Sequence, residues 1–141
     1  MGVSDTYVEN FLLPREELLV EMEQYAQEHH VPIMQLSGIE ALSQILRIQN
    51  PKSILEIGTA IGYSAIRMAK ALPNTSIVTI ERDPNRVEVA KQFIAKSNVE
   101  SQISVIEGDA LEVELDSNST FDAVFIDAAK GQYMKFFEKN C

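Results

Sequence analysis

The chain has 141 residues, of which 45% are hydrophobic and 23% are charged, a composition typical of one globular domain with its own core. Its net charge of −9 argues against a protein that grips nucleic acid over a broad basic surface, although it permits an RNA enzyme with a small basic patch. No apolar run approaches the roughly 20 residues that span a bilayer, which argues against a transmembrane protein.

The first part of the chain is predicted to be helical. Leu18, Met22 and Tyr25 recur at helical spacing and share one face, and Pro32 ends this helix. A second helix is predicted over about residues 37–47. Residues 1–50 are therefore expected to form a helical segment that packs on the core and on a dimer partner.

Residues 51–141 alternate between short apolar runs and longer amphipathic segments. The runs predict four strands, over residues 53–57, 76–80, 103–107 and 123–127. Helices are predicted between the first three strands and after the fourth, with Phe136 and Phe137 packing the last helix on the sheet. The alternation predicts an α/β fold with a mostly parallel sheet and helices on both faces.

Each predicted strand ends at or next to a carboxylate, and in open α/β sheets ligands bind beyond the carboxyl ends of the strands. The first end carries the stretch EIGTAIGYS, in which Glu56 precedes Gly58 and Gly62. This spacing differs from the dinucleotide fingerprint, and a carboxylate here would repel a pyrophosphate. It suits a cationic nucleoside such as S-adenosylmethionine, and Glu81 at the second strand end would accept hydrogen bonds from its ribose.

Asp109, after the third strand, is a candidate acceptor for the adenine amino group. A strand-end carboxylate is also a common helix N-cap, and this alternative applies equally to Asp109 and Asp83. Glu107 is expected to be solvated. The joint occurrence of Glu56, the two glycines and Glu81 carries the cofactor prediction.

The stretches LEIGTAIGYSAIRMAKALP, VTIERDP, GDALE and VFIDAAKGQY resemble the metal-dependent class I O-methyltransferases, which include the catechol and caffeoyl-CoA enzymes. Together with QEHHVPIM, IDAAKGQY is most similar to the bacterial tRNA 5-hydroxyuridine methyltransferases. The resemblance implies a Rossmann-like fold and a cofactor site formed by Met34, Glu56, Gly58, Tyr63, Ser64, Glu81, Asp109, Ala110 and Asp127.

The resemblance also implies two catalytic residues. Asp127 matches the first ligand of a divalent metal, expected to be Mg²⁺, and Lys130 matches the general base. A metal that chelates two neighbouring oxygens lowers the pKa of a substrate hydroxyl. A 5-hydroxyuridine in tRNA offers such a pair of oxygens, and so does a catechol.

The chain ends at Cys141, whereas the resemblance implies a further strand with the remaining metal ligands. A C-terminally truncated enzyme is therefore expected, with the fourth strand as an unprotected sheet edge and with little or no turnover. A lone cysteine and the absence of a secretory signal indicate a cytoplasmic protein. The predicted function is methylation of tRNA by a homodimer. The alternatives are a small catechol-like acceptor, an NAD-binding domain and an inactive remnant.

Overall fold

A computed structural model describes residues 17–34, 36–109, 121–128 and 131–137. Helix α1 covers the described residues 17–28, and helix α2 runs over Leu36–Gln49. Both predicted amino-terminal helices are therefore confirmed. Met22 of α1 and Leu46 of α2 are fully buried, so each helix contributes one apolar face to the core.

From β1 to β3 the described chain alternates between strands and helices as predicted. The elements are β1 Ser53–Ile57, α3 Tyr63–Ala71, β2 Ser76–Glu81, α4 Pro84–Ala95, a short 3₁₀ helix Glu100–Gln102, β3 Ile103–Glu107, β4 Ala123–Ala128 and β5 Gly131–Phe136. Among the described residues, no helix is long and apolar enough to cross a membrane.

The five strands form one mixed sheet in the order β3-β2-β1-β4-β5. The first four are parallel to one another, which confirms the predicted mostly parallel sheet. Strand order reverses beside β1, because β2 and β3 lie on one side of it and β4 on the other. The carboxyl ends of β1 and β4 thus flank the switch point, where open α/β sheets bind ligands.

The segment after β4 is a strand, and the predicted last helix is wrong. Residues Gly131–Phe136 form β5, which pairs antiparallel with β4 along six residues. Exposure alternates along β5, from exposed Tyr133 to half-buried Met134, the two-residue period of a strand. Phe136 packs on the core from β5, whereas Phe137 is 43% exposed.

The expectation that β4 would be an unprotected edge is also wrong, because β5 satisfies its backbone groups. A short segment gains a full ladder of hydrogen bonds by pairing with an exposed strand, whereas a single short helix gains little without packing. The pairing partner therefore decided the structure of this segment.

A side chain from the 3₁₀ helix fixes the carboxyl end of α3. The two N–H hydrogens of the Gln102 amide are shared among the carbonyl oxygens of Ala69, Leu72 and Thr75, which lie 3.1, 2.8 and 3.0 Å from Nε2. The last carbonyls of a helix have no partner within the helix, so this amide satisfies groups that would otherwise need water. The contact holds the helix end against the chain entering β2.

Candidate functional site

The turn between β1 and α3, residues 58–62, is bonded to the end of β2. The N–H groups of Gly58 and Thr59 both donate to the carbonyl oxygen of Ile80, at 2.9 and 3.2 Å. Gly58 and Gly62 have φ of 98° and 90°, a conformation that a side chain disfavours. We call this segment the glycine turn. Its two glycines are where the sequence predicted a tight turn.

Helix α3 starts directly after the glycine turn, with Gly62 as its N-cap. A Cβ at Gly62 would lie 3.5 Å from side-chain atoms of Ala90 and Ile94 in α4, an ordinary contact distance. Its backbone conformation, rather than lack of space, therefore favours glycine there. The amino end of α3 lies at the carboxyl ends of the strands. Its first N–H groups have no partner within the helix and can therefore attract an anionic group.

Glu81 fixes the glycine turn from the end of β2. The side chain is 7% exposed, and its Oε1 accepts from the N–H of Ala60 at 2.8 Å. Its Oε2 accepts from the N–H of Asp83 at 3.1 Å. Ala60 has a left-handed φ of 50°, so this bond stabilises a backbone conformation that an alanine disfavours. Each carboxylate oxygen can accept a second hydrogen bond, so Glu81 retains capacity for a ligand.

Glu56 is fully buried in the centre of the sheet. Its Oε1 accepts from the hydroxyl of Thr79, its register partner on β2, at 2.6 Å. The Thr79 hydroxyl lies 2.6 Å from that of Thr59 in the glycine turn. A carboxylate without solvent needs hydrogen-bond donors, and Thr79 supplies one. This chain of side chains joins β1, β2 and the glycine turn.

Tyr63 and Ser64 are both buried in the first turn of α3. The Tyr63 hydroxyl donates to Oε2 of Glu23 in α1 at 2.7 Å, so it bonds to the amino-terminal helix. Burial, and then the carboxylate of Glu23, raise the pKa of Tyr63 above its ordinary value. The guanidinium carbon of Arg67 lies 5.9 Å from the centre of the Tyr63 ring.

The other predicted site residues lie around this centre or outside the described residues. Met34 is half-buried and its terminal methyl packs against Gly38, where a Cβ would lie 3.4 Å away. Asp109 is half-buried and lies two residues after the end of β3. Asp127 lies in β4, opposite Gln132 of β5. Two further predicted residues, Ala110 and Lys130, lie outside the described residues.

Two other acidic residues at the strand ends, Asp83 and Glu107, lie outside the predicted cofactor site. Asp83 is the N-cap of α4, and its Oδ1 accepts from the N–H of Asn85 at 2.9 Å. Glu107 is exposed, as expected. Within the described residues there is no group of three His, Cys, Asp or Glu side chains that could hold a metal ion.

Thr59, Thr79 and Glu23 take part in this arrangement although they are not among the predicted site residues. Thr79 interrupts an apolar strand, SIVTIE, at an inward-facing position, and a buried polar residue there is a signal that a partner exists. Glu23 carried no such signal, because its contact with Tyr63 joins residues 40 positions apart.

A family model described as O-methyltransferase matches residues 9–141. The chain belongs to the O-methyltransferase family. This O-methyltransferase chain is 32% identical over 141 residues to a catechol O-methyltransferase of Niastella koreensis, covering 95% of the chain and 64% of that relative.

Two solved structures have a similar fold. The O-methyltransferase from Bacillus cereus in complex with SAH is 31% identical with a TM-score of 0.72, over 90% of this chain and 61% of that one. TomG from Streptomyces achromogenes, in complex with SAM, gives the same identity and TM-score over 90% and 60%. The fold is thus a Rossmann-like methyltransferase fold. The O-methyltransferase chain spans less than two thirds of the length of these relatives.

Proposed function

We propose that the chain binds S-adenosylmethionine at the carboxyl ends of β1 and β2, and that it serves methyl transfer to a hydroxyl group. One observation carries the proposal: Glu81 holds the glycine turn against the end of β2, and the buried carboxylate of Glu56 is linked to the same turn through Thr79 and Thr59. Solved relatives from Bacillus cereus and Streptomyces achromogenes are named as complexes with SAH and SAM, which supports the same ligand here.

The residues present fit such a ligand. Glu81 keeps one further acceptor position on each oxygen, which suits the two ribose hydroxyls. The negative charge of Glu56 suits a cationic amino group, and the amino end of α3 suits the carboxylate of the methionine part. Asp109, two residues after β3, is the proposed acceptor for the adenine amino group. When bound, the cofactor supplies an electrophilic methyl group on a sulfonium.

For the acceptor, two substrate classes are proposed. The stretch IDAAKGQY supports 5-hydroxyuridine in tRNA. The acidic net charge of −9 and the likeness to a catechol O-methyltransferase support a small catechol-like acceptor. In both cases Lys130 is the proposed base that accepts the hydroxyl proton, and binding of the two reactants in line provides much of the acceleration.

A divalent metal, proposed as Mg²⁺, would be held by Asp127. A hard cation takes about six oxygen ligands, and the described residues offer no group of three acidic or histidine side chains for it. The described residues alone therefore do not fit a metal, and no step of the reaction is assigned to one. Transfer assays with added Mg²⁺ or with a chelator test whether the activity depends on it.

Two measurements test the proposal. Calorimetry with S-adenosylhomocysteine and with NAD⁺ should detect binding of the first only, and NAD⁺ binding with no S-adenosylhomocysteine binding would refute the cofactor assignment. Transfer of a labelled methyl group to undermodified tRNA and to a catechol, side by side, then identifies the acceptor. Binding without transfer to either would leave cofactor binding in place and reject both acceptor assignments.

We also propose that the amino-terminal helices pair two copies of the protein. Ile48 and Ile45 of α2 are 81% and 47% exposed, and Val20 of α1 is 43% exposed. Ile45 and Ile48 are three residues apart and therefore neighbours on one helix face, and an exposed apolar patch of this kind marks an interface. Sedimentation velocity should give a dimer for the parent and a monomer for Ile48→Glu, whereas Gln92→Glu, at an exposed position of α4, serves as control.

A further inference from the structure

Three buried side chains form a continuous hydrogen-bonded chain beneath the glycine turn. Glu56 and Thr79 are both 0% exposed and Thr59 is 2% exposed. Thr79 Oγ1 lies 2.6 Å from Glu56 Oε1 and 2.6 Å from Thr59 Oγ1. An ionised carboxylate only accepts hydrogen bonds, so the Thr79 hydroxyl donates to Glu56 and itself accepts from Thr59.

We propose that Thr79 is a positioning residue for the amino-acid end of the cofactor, an inference that rests on the proposed function. Glu56 and Thr79 are register partners on adjacent parallel strands, so the backbone fixes the distance between their side chains. The hydroxyl then orients the carboxylate whose negative charge attracts the cationic amino group. Thr59 extends this series of hydrogen bonds into the glycine turn. The orientation of Glu56 is thereby linked to the backbone of the turn, where the ligand is proposed to bind.

The hydroxyl of Thr79, rather than its volume, carries this role. Thr79→Val keeps the shape of the side chain and removes the hydroxyl, which both donates to Glu56 and accepts from Thr59. Oε1 of Glu56 would then lose the hydrogen bond that orients the carboxylate. This change should weaken the attraction for an ammonium group, by about tenfold or more in dissociation constant.

The experiment compares two ligands that differ at the end in question. S-Adenosylhomocysteine carries the amino-acid group, whereas 5′-methylthioadenosine has the same nucleoside without it. Calorimetry on Thr79→Val should show weakening of about tenfold or more for the first ligand and little change for the second. Thr79→Ser restores the donor and should bind the first ligand nearly as the parent does.

Thr75 provides a matched control. It is 2% exposed, and its hydroxyl donates to the carbonyl oxygen of Pro51 at 2.7 Å, at the opposite end of β2. Thr75→Val therefore removes a comparable buried hydrogen bond and should leave both dissociation constants near those of the parent. Thermal unfolding of each variant reports the fold itself. If Thr79→Val does not fold, Thr59→Val tests the same chain of hydroxyls from its other end, with the same ligand selectivity expected.

Three results would overturn the inference. Equal weakening of both ligands by Thr79→Val would indicate a general structural role. Failure of Thr79→Ser to restore binding would show that the hydroxyl is not the reason. Unchanged binding of S-adenosylhomocysteine to Thr79→Val would remove the role altogether. If the parent chain binds neither ligand, the proposed function itself fails, and this inference fails with it.

Discussion

Substitution of Glu81 should destabilise the protein even when no cofactor is present. Its carboxylate accepts from the N–H groups of Ala60 and Asp83 at 2.8 and 3.1 Å, and the side chain is only 7% exposed. Hydrogen bonds to a charged group contribute about 1.5 to 3 kcal/mol each. Glu81→Ala removes both acceptors and should cost about 3 kcal/mol or more, whereas Glu81→Gln keeps one carbonyl oxygen and should cost about half as much.

Urea denaturation of the cofactor-free protein measures these changes as differences in the free energy of unfolding. Glu107 is the control, because it is the register partner of Glu81 on β3 and is exposed. Glu107→Gln should change the free energy by no more than about 0.5 kcal/mol. If Glu81→Ala and Glu107→Gln were equally stable, Glu81 would not be holding the glycine turn and its role would be confined to the ligand.

Three further predictions concern neighbouring groups. The folded state raises the pKa of Tyr63 above 10.0, so an unfolded tyrosine ionises first as pH rises. The stabilisation is complete below about pH 10 and declines above it, and Tyr63→Phe should flatten the fall in unfolding free energy between about pH 10 and about pH 12. Gly62→Ala should cost about 1 to 2 kcal/mol in urea denaturation, because φ there is 90°. Gln102→Ala should lower the melting temperature by several degrees, since about 1 to 3 kcal/mol of hydrogen bonding to the end of α3 is lost.

The parallel strands could be predicted because their pattern is local. The predicted bounds of β1 and β3 match the structure, and β2 extends one residue further, to Glu81. These strands consist mostly of apolar residues, and each lies between two turns. The segment Gly131–Phe136 could not be assigned in this way, because pairing with β4 outweighs its own weak preference.

The residues of the candidate site also differ in whether a local sequence pattern could predict them. The glycine turn and Glu81 carried positional signals, namely glycines after a strand and a carboxylate at the next strand end. The contact between Thr79 and Glu56 depends on the register between two strands that lie 23 positions apart in sequence. Register is set by packing of the whole sheet, so no spacing within either strand reveals it.

The acidic strand ends serve the fold as well as the proposed ligand. Asp83 caps α4, Glu81 ties the glycine turn to β2, and Glu56 bonds across to Thr79. A carboxylate that is fixed before the ligand arrives loses less entropy when it binds, so these contacts should raise affinity as well as stability. Stability and affinity should therefore fall together at Glu81. Gln102 bonds to the carboxyl end of α3, away from the glycine turn, so its substitution should lower stability alone.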